Sequence, residues 1–216
     1  MGPKIMEHER AFLSHFIVES DAIECVMRTP LEVLKQLHEG YAEGHVGAYI
    51  QLHSAHENKE MLSKEMICGV QSLIVTEQPT YGVKGLRSDQ IGRWRNVRVS
   101  VGGRACPRVS VVSKKMKHLI DAVRAWQKHG WAMRTPEENV RFIAGTHFSF
   151  LHTHPFVDGN GRTSRALVYF LYLHAHLTPF VFTADDRYKT YYRCFENPND
   201  MVAYFLARTT LPTRLQ

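Results

Sequence analysis

The chain has 216 residues, with 27 Lys+Arg against 21 Asp+Glu, a net charge of +6 and a pI near 9.2. At 44% hydrophobic and 22% charged residues it has the make-up of a folded globular protein, which excludes wholesale disorder, and its length suits one domain. The longest apolar run, Ala166 to Leu173, is far short of the roughly 18 residues that suggest a membrane span, and Met1 to Arg10 lacks the apolar stretch of a secretion signal.

No membrane association is therefore expected. Cys25, Cys68, Cys106 and Cys194 are widely spaced with no C-x-x-C pair, which fits free thiols in a reducing, cytoplasmic setting.

The apolar positions Phe12, Phe16, Ile17, Ile23, Val26 and Met27 predict a first helix, and Thr29-Pro30 breaks it. Pro30 opens a second helix through Leu31, Leu34 and Leu37. The three glycines of 40–47 read as a connection, and another helix is predicted from Ser63 to Val75. Gln78-Pro79, Gly82, Gly85 and Gly92 form an irregular loop. Val97-Arg98-Val99-Ser100-Val101 then alternates before Gly102-Gly103, the clear hairpin signal of the chain.

Helix resumes after Pro107, with Met116, Leu119, Ile120, Val123 and Trp126 on one face. Thr135-Pro136-Glu137-Glu138 is a capping-box start for a helix that Pro155 ends. A helix that is apolar almost all round is predicted from Gly161 to Leu177, at the buried centre of the fold, and one or two more from Asp186 to Arg208. The expectation is an all-α bundle with a short β-hairpin.

Chemistry concentrates between the capped helix and the central one, in His154-Pro155-Phe156-Val157-Asp158-Gly159-Asn160-Gly161-Arg162-Thr163-Ser164-Arg165. Gly159, Asn160 and Gly161 tolerate positive φ and let backbone N–H groups converge on an anion. The helix that they open adds positive potential at its N-terminus. Arg162 and Arg165, three apart, can face one side, where phosphates would lie. Asp158 suits a Mg²⁺ that bridges phosphate oxygens, and His154, fixed by Pro155, is a candidate general base. Phe156 reads as a core anchor.

The run resembles the H-P-F-x-[D/E]-G-N-G-R-x-x-R signature of the Fic (filamentation induced by cAMP) family, without departure. The resemblance implies an all-helical protein that transfers AMP from ATP to a Ser, Thr or Tyr hydroxyl of a target protein, releasing pyrophosphate. It implies that His154 deprotonates the hydroxyl and that Asp158 holds Mg²⁺ on the α- and β-phosphates. Gly159, Asn160 and Gly161 would cradle the phosphates, Asn160 at the α-phosphate, and Arg162 and Arg165 would bind the β- and γ-phosphates.

Gly92-Arg93-Trp94-Arg95 and the hairpin strand after it resemble the family's flap, where a target segment pairs by strand addition along Val97, Val99 and Val101. Tyr191-Tyr192 with Asn199 resembles the adenine-side pocket, ordinary helix packing being the alternative for the two tyrosines. Cys68-Gly69 departs from the Leu-His that the family often carries before the flap.

Ser20-Asp21-Ala22-Ile23-Glu24-Cys25 resembles the inhibitory motif of members with an N-terminal inhibitory helix, with Cys25 where Gly or Asn is usual. Ser20 and Glu24 lie one helical turn apart, and a carboxylate there could pair bidentately with Arg165 and misalign bound ATP. In some relatives this Glu positions a water that removes AMP, so the reverse, de-AMPylating hydrolysis is an alternative activity.

The expected organisation is a single Fic domain over 1–216: inhibitory helix region 10–28, helical region 29–90, flap 91–106 and catalytic core 107–210. Partners expected are a hydroxyl-bearing target protein at the flap, self-modification and a possible homo-oligomer or scaffold. Two further readings compete. His147, His152, His154 and Asp158 suggest a metal hydrolase, but no H-E-x-x-H or comparable set appears, and His174 and His176 face different sides of a buried helix. Arg87, Arg93, Arg95, Arg98, Arg104 and Arg108, with Trp94, suggest a basic nucleic-acid-binding module, without a recognition motif to support it; an acidic target segment suits the same arginines.

Overall fold

The computed structural model describes residues 5–211; the remaining ends of the expected 1–216 domain lie outside the described residues. Within them the helices are α1 (Glu7–Ile23), α2 (Pro30–Glu39), α3 (Gly44–Glu57), α4 (Lys64–Glu77), α5 (Val109–Ala125), α6 (Pro136–Thr153), α7 (Asn160–His174) and α8 (Pro198–Arg208). The strands β1 (Ser100–Val101) and β2 (Arg104–Ala105) pair antiparallel, Ser100 opposite Ala105. The bundle is all-α apart from this hairpin, as expected. Among the described residues no helix is long and apolar enough to cross a membrane.

α7 is the axis of the bundle. Every residue from Arg162 to Tyr172 is buried, and α1, α3, α4 and α6 pack around it. Phe16, Tyr49, Tyr169 and Phe182 interlock beside it, with ring centroids 5.4–6.2 Å apart. α6 starts as predicted: the Glu138 N–H donates to the Thr135 hydroxyl at 3.2 Å, and the Thr135 N–H to the Glu138 carboxylate at 2.7 Å.

Four expectations change. α1 stops at Ile23 rather than near Met27, because Cys25 turns left-handed at φ 60°. The glycine-rich stretch 40–47 is only partly a connection, since α3 begins at Gly44. Its first residues are buried on every side, so no amphipathic period announces the helix. Gly47 is required there by proximity: a Cβ would lie 2.4 Å from the Ala42 carbonyl.

The hairpin is shorter than 97–101, with two residues per strand joined by Gly102 and Gly103 at φ 55° and 78°, the two positive values that a tight hairpin turn needs. The last helix of the motif region ends at His174, before Leu177. Leu177 N–H turns back to the Tyr172 carbonyl at 2.9 Å, with His176 at φ 54°.

Candidate active site

His154 caps α6 in the left-handed region at φ 47°, an uncommon conformation for a residue with a Cβ. The surrounding contacts hold it there. Its N–H donates to the Phe150 carbonyl at 2.9 Å, and its own carbonyl accepts from Arg95 Nε at 2.7 Å. Burial pushes the imidazole pKa below its ordinary value, which favours the neutral ring that a base requires.

The loop after it is closed by side chains. Asn160 accepts from the Phe156 N–H at 2.9 Å and donates to the Phe156 carbonyl at 3.0 Å. The side chain expected at the α-phosphate is thus 2% exposed and engaged in holding the loop. The Phe156 ring is fully buried, as expected of an anchor, with Trp94 packed 4.9 Å away.

Asp158 accepts from the Gly159 N–H at 2.6 Å and from Gln78 Nε2 at 2.9 Å. Gly159 is left-handed at φ 79°, and a Cβ on it would lie 2.7 Å from Val75 Cγ1, so only glycine fits. A single carboxylate beside an anion-binding loop fits a hard cation whose other ligands come from phosphate and water, so Asp158 suits Mg²⁺.

The helix N-terminus faces α1. Arg165, with a side chain 1% exposed, donates through Nη2 to Glu24 Oε1 at 2.9 Å and to the Ser20 carbonyl at 2.8 Å, and through Nε to the Ser20 hydroxyl at 2.9 Å. The pairing is therefore not the bidentate one expected: one carboxylate oxygen is held, and Ser20 takes the rest of the fork. Burial works against the Arg165 charge, but Glu24 and Tyr191 together outweigh it and the pKa lies above the ordinary value. A Cβ on Gly161 would lie 2.2 Å from Glu24 Oε1, so the carboxylate rests on the glycine backbone that opens α7.

Arg162, expected to face phosphates beside Arg165, is 3% exposed and points to Asp21, with Nη1 3.7 Å from Oδ1. Asp21, 1% exposed, also accepts from His45 Nδ1 at 2.9 Å and lies 3.1 Å from Arg28 Nε. Arg28 reaches on to Glu77 at 2.5 Å, and the same Glu77 oxygen accepts the His45 N–H at 2.8 Å. Burial, with the Arg162 and Arg28 charges, lowers the His45 pKa despite Asp21, so a neutral imidazole donates to Asp21, and the charge on Asp21 is met by Arg28 and Arg162. The two arginines of the motif thus both meet α1.

Several residues that position the site escaped the sequence reading. Arg95, grouped there with exposed arginines, is 3% exposed and ties together the carbonyls of His154, Val97 and Pro107 at 2.7, 3.0 and 2.6 Å. Gln71, fully buried on α4, donates to the Asp158 carbonyl at 3.2 Å and accepts from the Gly92 N–H at 2.7 Å. A glutamine among Met66, Ile67, Val70 and Ile74 on one helix face is the sequence signal that was available for it.

Tyr191 is 1% exposed, with its hydroxyl 2.9 Å from His147 Nε2, and its side chain also hydrogen-bonds with Arg165. Tyr192 is half-buried and Asn199 exposed on the first turn of α8. Val97 and Val101 are exposed at 38% and 49%, with Val99 half-buried.

The Fic/DOC family model matches residues 61–172, more than half of the chain and the whole of the motif. The chain belongs to the Fic/DOC family. It is similar to the protein adenylyltransferase Fic of Culex quinquefasciatus, 32% identical over 103 residues, or 46% of this chain and 19% of that one. To the protein of the same name from Nematostella vectensis it is 30% identical over 127 residues, 56% of this chain and 28% of that one. The matched stretch thus spans less than a third of the length of either relative.

Among solved structures, a Fic-domain-containing signaling protein from Bacteroides thetaiotaomicron superposes with a TM-score of 0.72 at 17% identity, covering 95% of this chain and 88% of that one. Fic-1 of C. elegans superposes at 0.68 and 16% identity, covering 95% and 64%. These likenesses establish the Fic fold.

Proposed function

We propose that this chain transfers AMP from ATP to a hydroxyl side chain of a protein and that its own first helix restrains the reaction. The observation that carries the reading is the Glu24 carboxylate resting on Gly161 and Arg165, where a built anion site meets a base. The relatives' printed activity, adenylyl transfer, supports the same chemistry.

In this reading the acceptor hydroxyl lies against His154, whose neutral ring takes its proton as the oxygen attacks the α-phosphorus. The bond to the β-phosphate oxygen breaks and pyrophosphate leaves. The backbone at Gly159 to Gly161, the α7 N-terminus and Arg165 stabilise the phosphate charge. Asp158 would hold Mg²⁺, which would neutralise charge on the phosphates. Arg162 reaches them only if its contact with Asp21 loosens. With Glu24 in place Arg165 is occupied and a phosphate meets a like charge, and a misalignment of about 1 Å can cost on the order of 10²-fold in rate.

The test is incubation of wild type, Glu24→Gly and His154→Ala with α-phosphate-labelled ATP, Mg²⁺ and acceptor proteins. Label rises on acceptor, or on the chain itself, with Glu24→Gly by about 10²-fold and disappears with His154→Ala. Equal labelling by wild type and Glu24→Gly removes the restraint, and labelling that survives His154→Ala removes the base. Release of AMP from a pre-labelled acceptor, lost in Glu24→Gly, would favour the hydrolytic direction.

A further inference from the structure

The charge of this chain is not spread over it. From Gln90 to Ile120 there are eight lysines and arginines and no aspartate or glutamate, so this segment is +8 while the whole chain is +6 and the remainder is net acidic. The segment is the hairpin, its approach and most of α5. Arg95 is buried, Arg93 acts on Asp89, and Arg104 and Lys117 have carboxylate partners at 2.9 and 2.6 Å. Arg98, Arg108, Lys114 and Lys115 are exposed, and among the described residues they make no ion pair.

The patch continues into a cleft of about 640 Å³ between α5 and α6. Lys115, His118, Arg141 and His152 line it and no carboxylate does, although Arg141 is paired with Glu137 at 2.7 Å outside that lining. Its floor is open at Gly145, where a Cβ would meet nothing within 4 Å. His152 and Thr153 form part of its wall, so the cleft reaches the residues that immediately precede His154.

We infer that the hairpin and the α5–α6 cleft form a docking surface for an acidic stretch of protein flanking the hydroxyl to be modified. The inference rests on the AMP-transfer reading for what the docked segment is for, and on charge complementarity for what it is. A two-stranded hairpin leaves unpaired backbone edges that accept a peptide strand, whereas a nucleic acid has no such backbone to pair. The one tryptophan of the patch, Trp94, is half-buried against Phe156 and so offers no free face for a base to stack on. Exposed basic groups around a cleft raise the local concentration of an acidic segment and steer its approach.

The test is anisotropy of fluorescent peptides with the wild-type chain in the absence of ATP. An Asp/Glu-rich peptide containing one Ser, its Asn/Gln counterpart and a single-stranded oligonucleotide of equal charge are compared, and binding is repeated in about 0.5 M salt. The acidic peptide is expected to bind about tenfold or more tightly than the neutral one. That preference is expected to vanish in high salt and in the double variant Arg98→Glu, Lys115→Glu, whose side chains are exposed.

Equal binding of the two peptides, or an unchanged preference in the double variant, overturns the inference. Tighter binding of the oligonucleotide overturns it in favour of a nucleic-acid surface. Because binding is read without transfer, the two readings separate. Acidic-peptide binding without label transfer by Glu24→Gly sinks the enzymatic reading alone, while label transfer indifferent to flanking charge sinks the docking surface alone.

Discussion

Arg95 and His154 are joined through the main chain. The guanidinium Nε donates to the His154 carbonyl at 2.7 Å, and the Arg95 N–H donates to the neighbouring Pro155 carbonyl at 2.7 Å. The other guanidinium nitrogens hold Val97 and Pro107, the two ends of the hairpin segment, so one side chain sets the hairpin and His154 in register. The left-handed His154 is held in part by this fork.

Arg95→Ala is therefore expected to leave several carbonyls without their donor. The loss of stability should be about 3 kcal/mol, read by thermal unfolding, and kcat for transfer should fall by roughly 10²-fold. Arg95→Lys, with a point charge in place of a planar fork, is expected to recover part of the stability but little of kcat. A purely structural role would instead restore both together.

Asp21 is a buried carboxylate facing two guanidinium groups and an imidazole. Burial raises its pKa, but His45, Arg28 and Arg162 together bring it below the ordinary value. Asp21→Asn leaves the buried Arg162 without its counter-charge and Arg28 with Glu77 alone, and a loss of about 3–5 kcal/mol is expected, or on the order of 10 °C in Tm. Replacement of an exposed carboxylate such as Asp121, paired with Lys117 on the surface, should move Tm by little.

His147 sits between the Ser164 hydroxyl at 2.7 Å and the Tyr191 hydroxyl at 2.9 Å. Burial, and then the Arg165 charge, push its pKa down to about 3 from 6.5. Between those values the unfolded chain takes a proton that the folded one refuses, so stability is fully present above pH 6.5 and is lost as pH falls toward 3. His45 is lowered too and works in the same direction. Urea unfolding of His147→Gln across this range should show a shallower acid slope, the difference amounting to a few kcal/mol at the low end.

Cys25 takes the left-handed conformation, φ 60°, in the turn that follows Glu24. That is the position where the inhibitory motif usually has Gly or Asn, the residues that enter this region most readily. Cys25→Gly is expected to hold or raise stability, by at most about 1 kcal/mol, and Cys25→Val to lower it by more than that. Differential scanning calorimetry of the pair checks the ordering.

What the sequence by itself determined is local or periodic. The capping box at Thr135 and Glu138, the glycine turn at 102–103 and the contiguous motif from His154 to Arg165 are each written in a few adjacent residues. Their physical requirements, a capped helix, positive φ or a converging set of N–H groups, do not depend on distant neighbours. The pairing of Glu24 with Arg165 was legible in part, because the order of motifs pointed to it, although the geometry is single rather than bidentate.

The rest was decided only by packing. Asp21, His45, Glu77 and Arg162 come from four helices, with Arg28 from the turn after α1, and no one segment shows that they share a site. Arg95 has the same composition signal as its exposed neighbours, yet burial and four carbonyls make it a clamp. α3 escaped the periodic reading because a helix buried all round at its start has no polar face to alternate with. A pattern along the chain reports one element against solvent, whereas the partners of a buried charge belong to the fold as a whole.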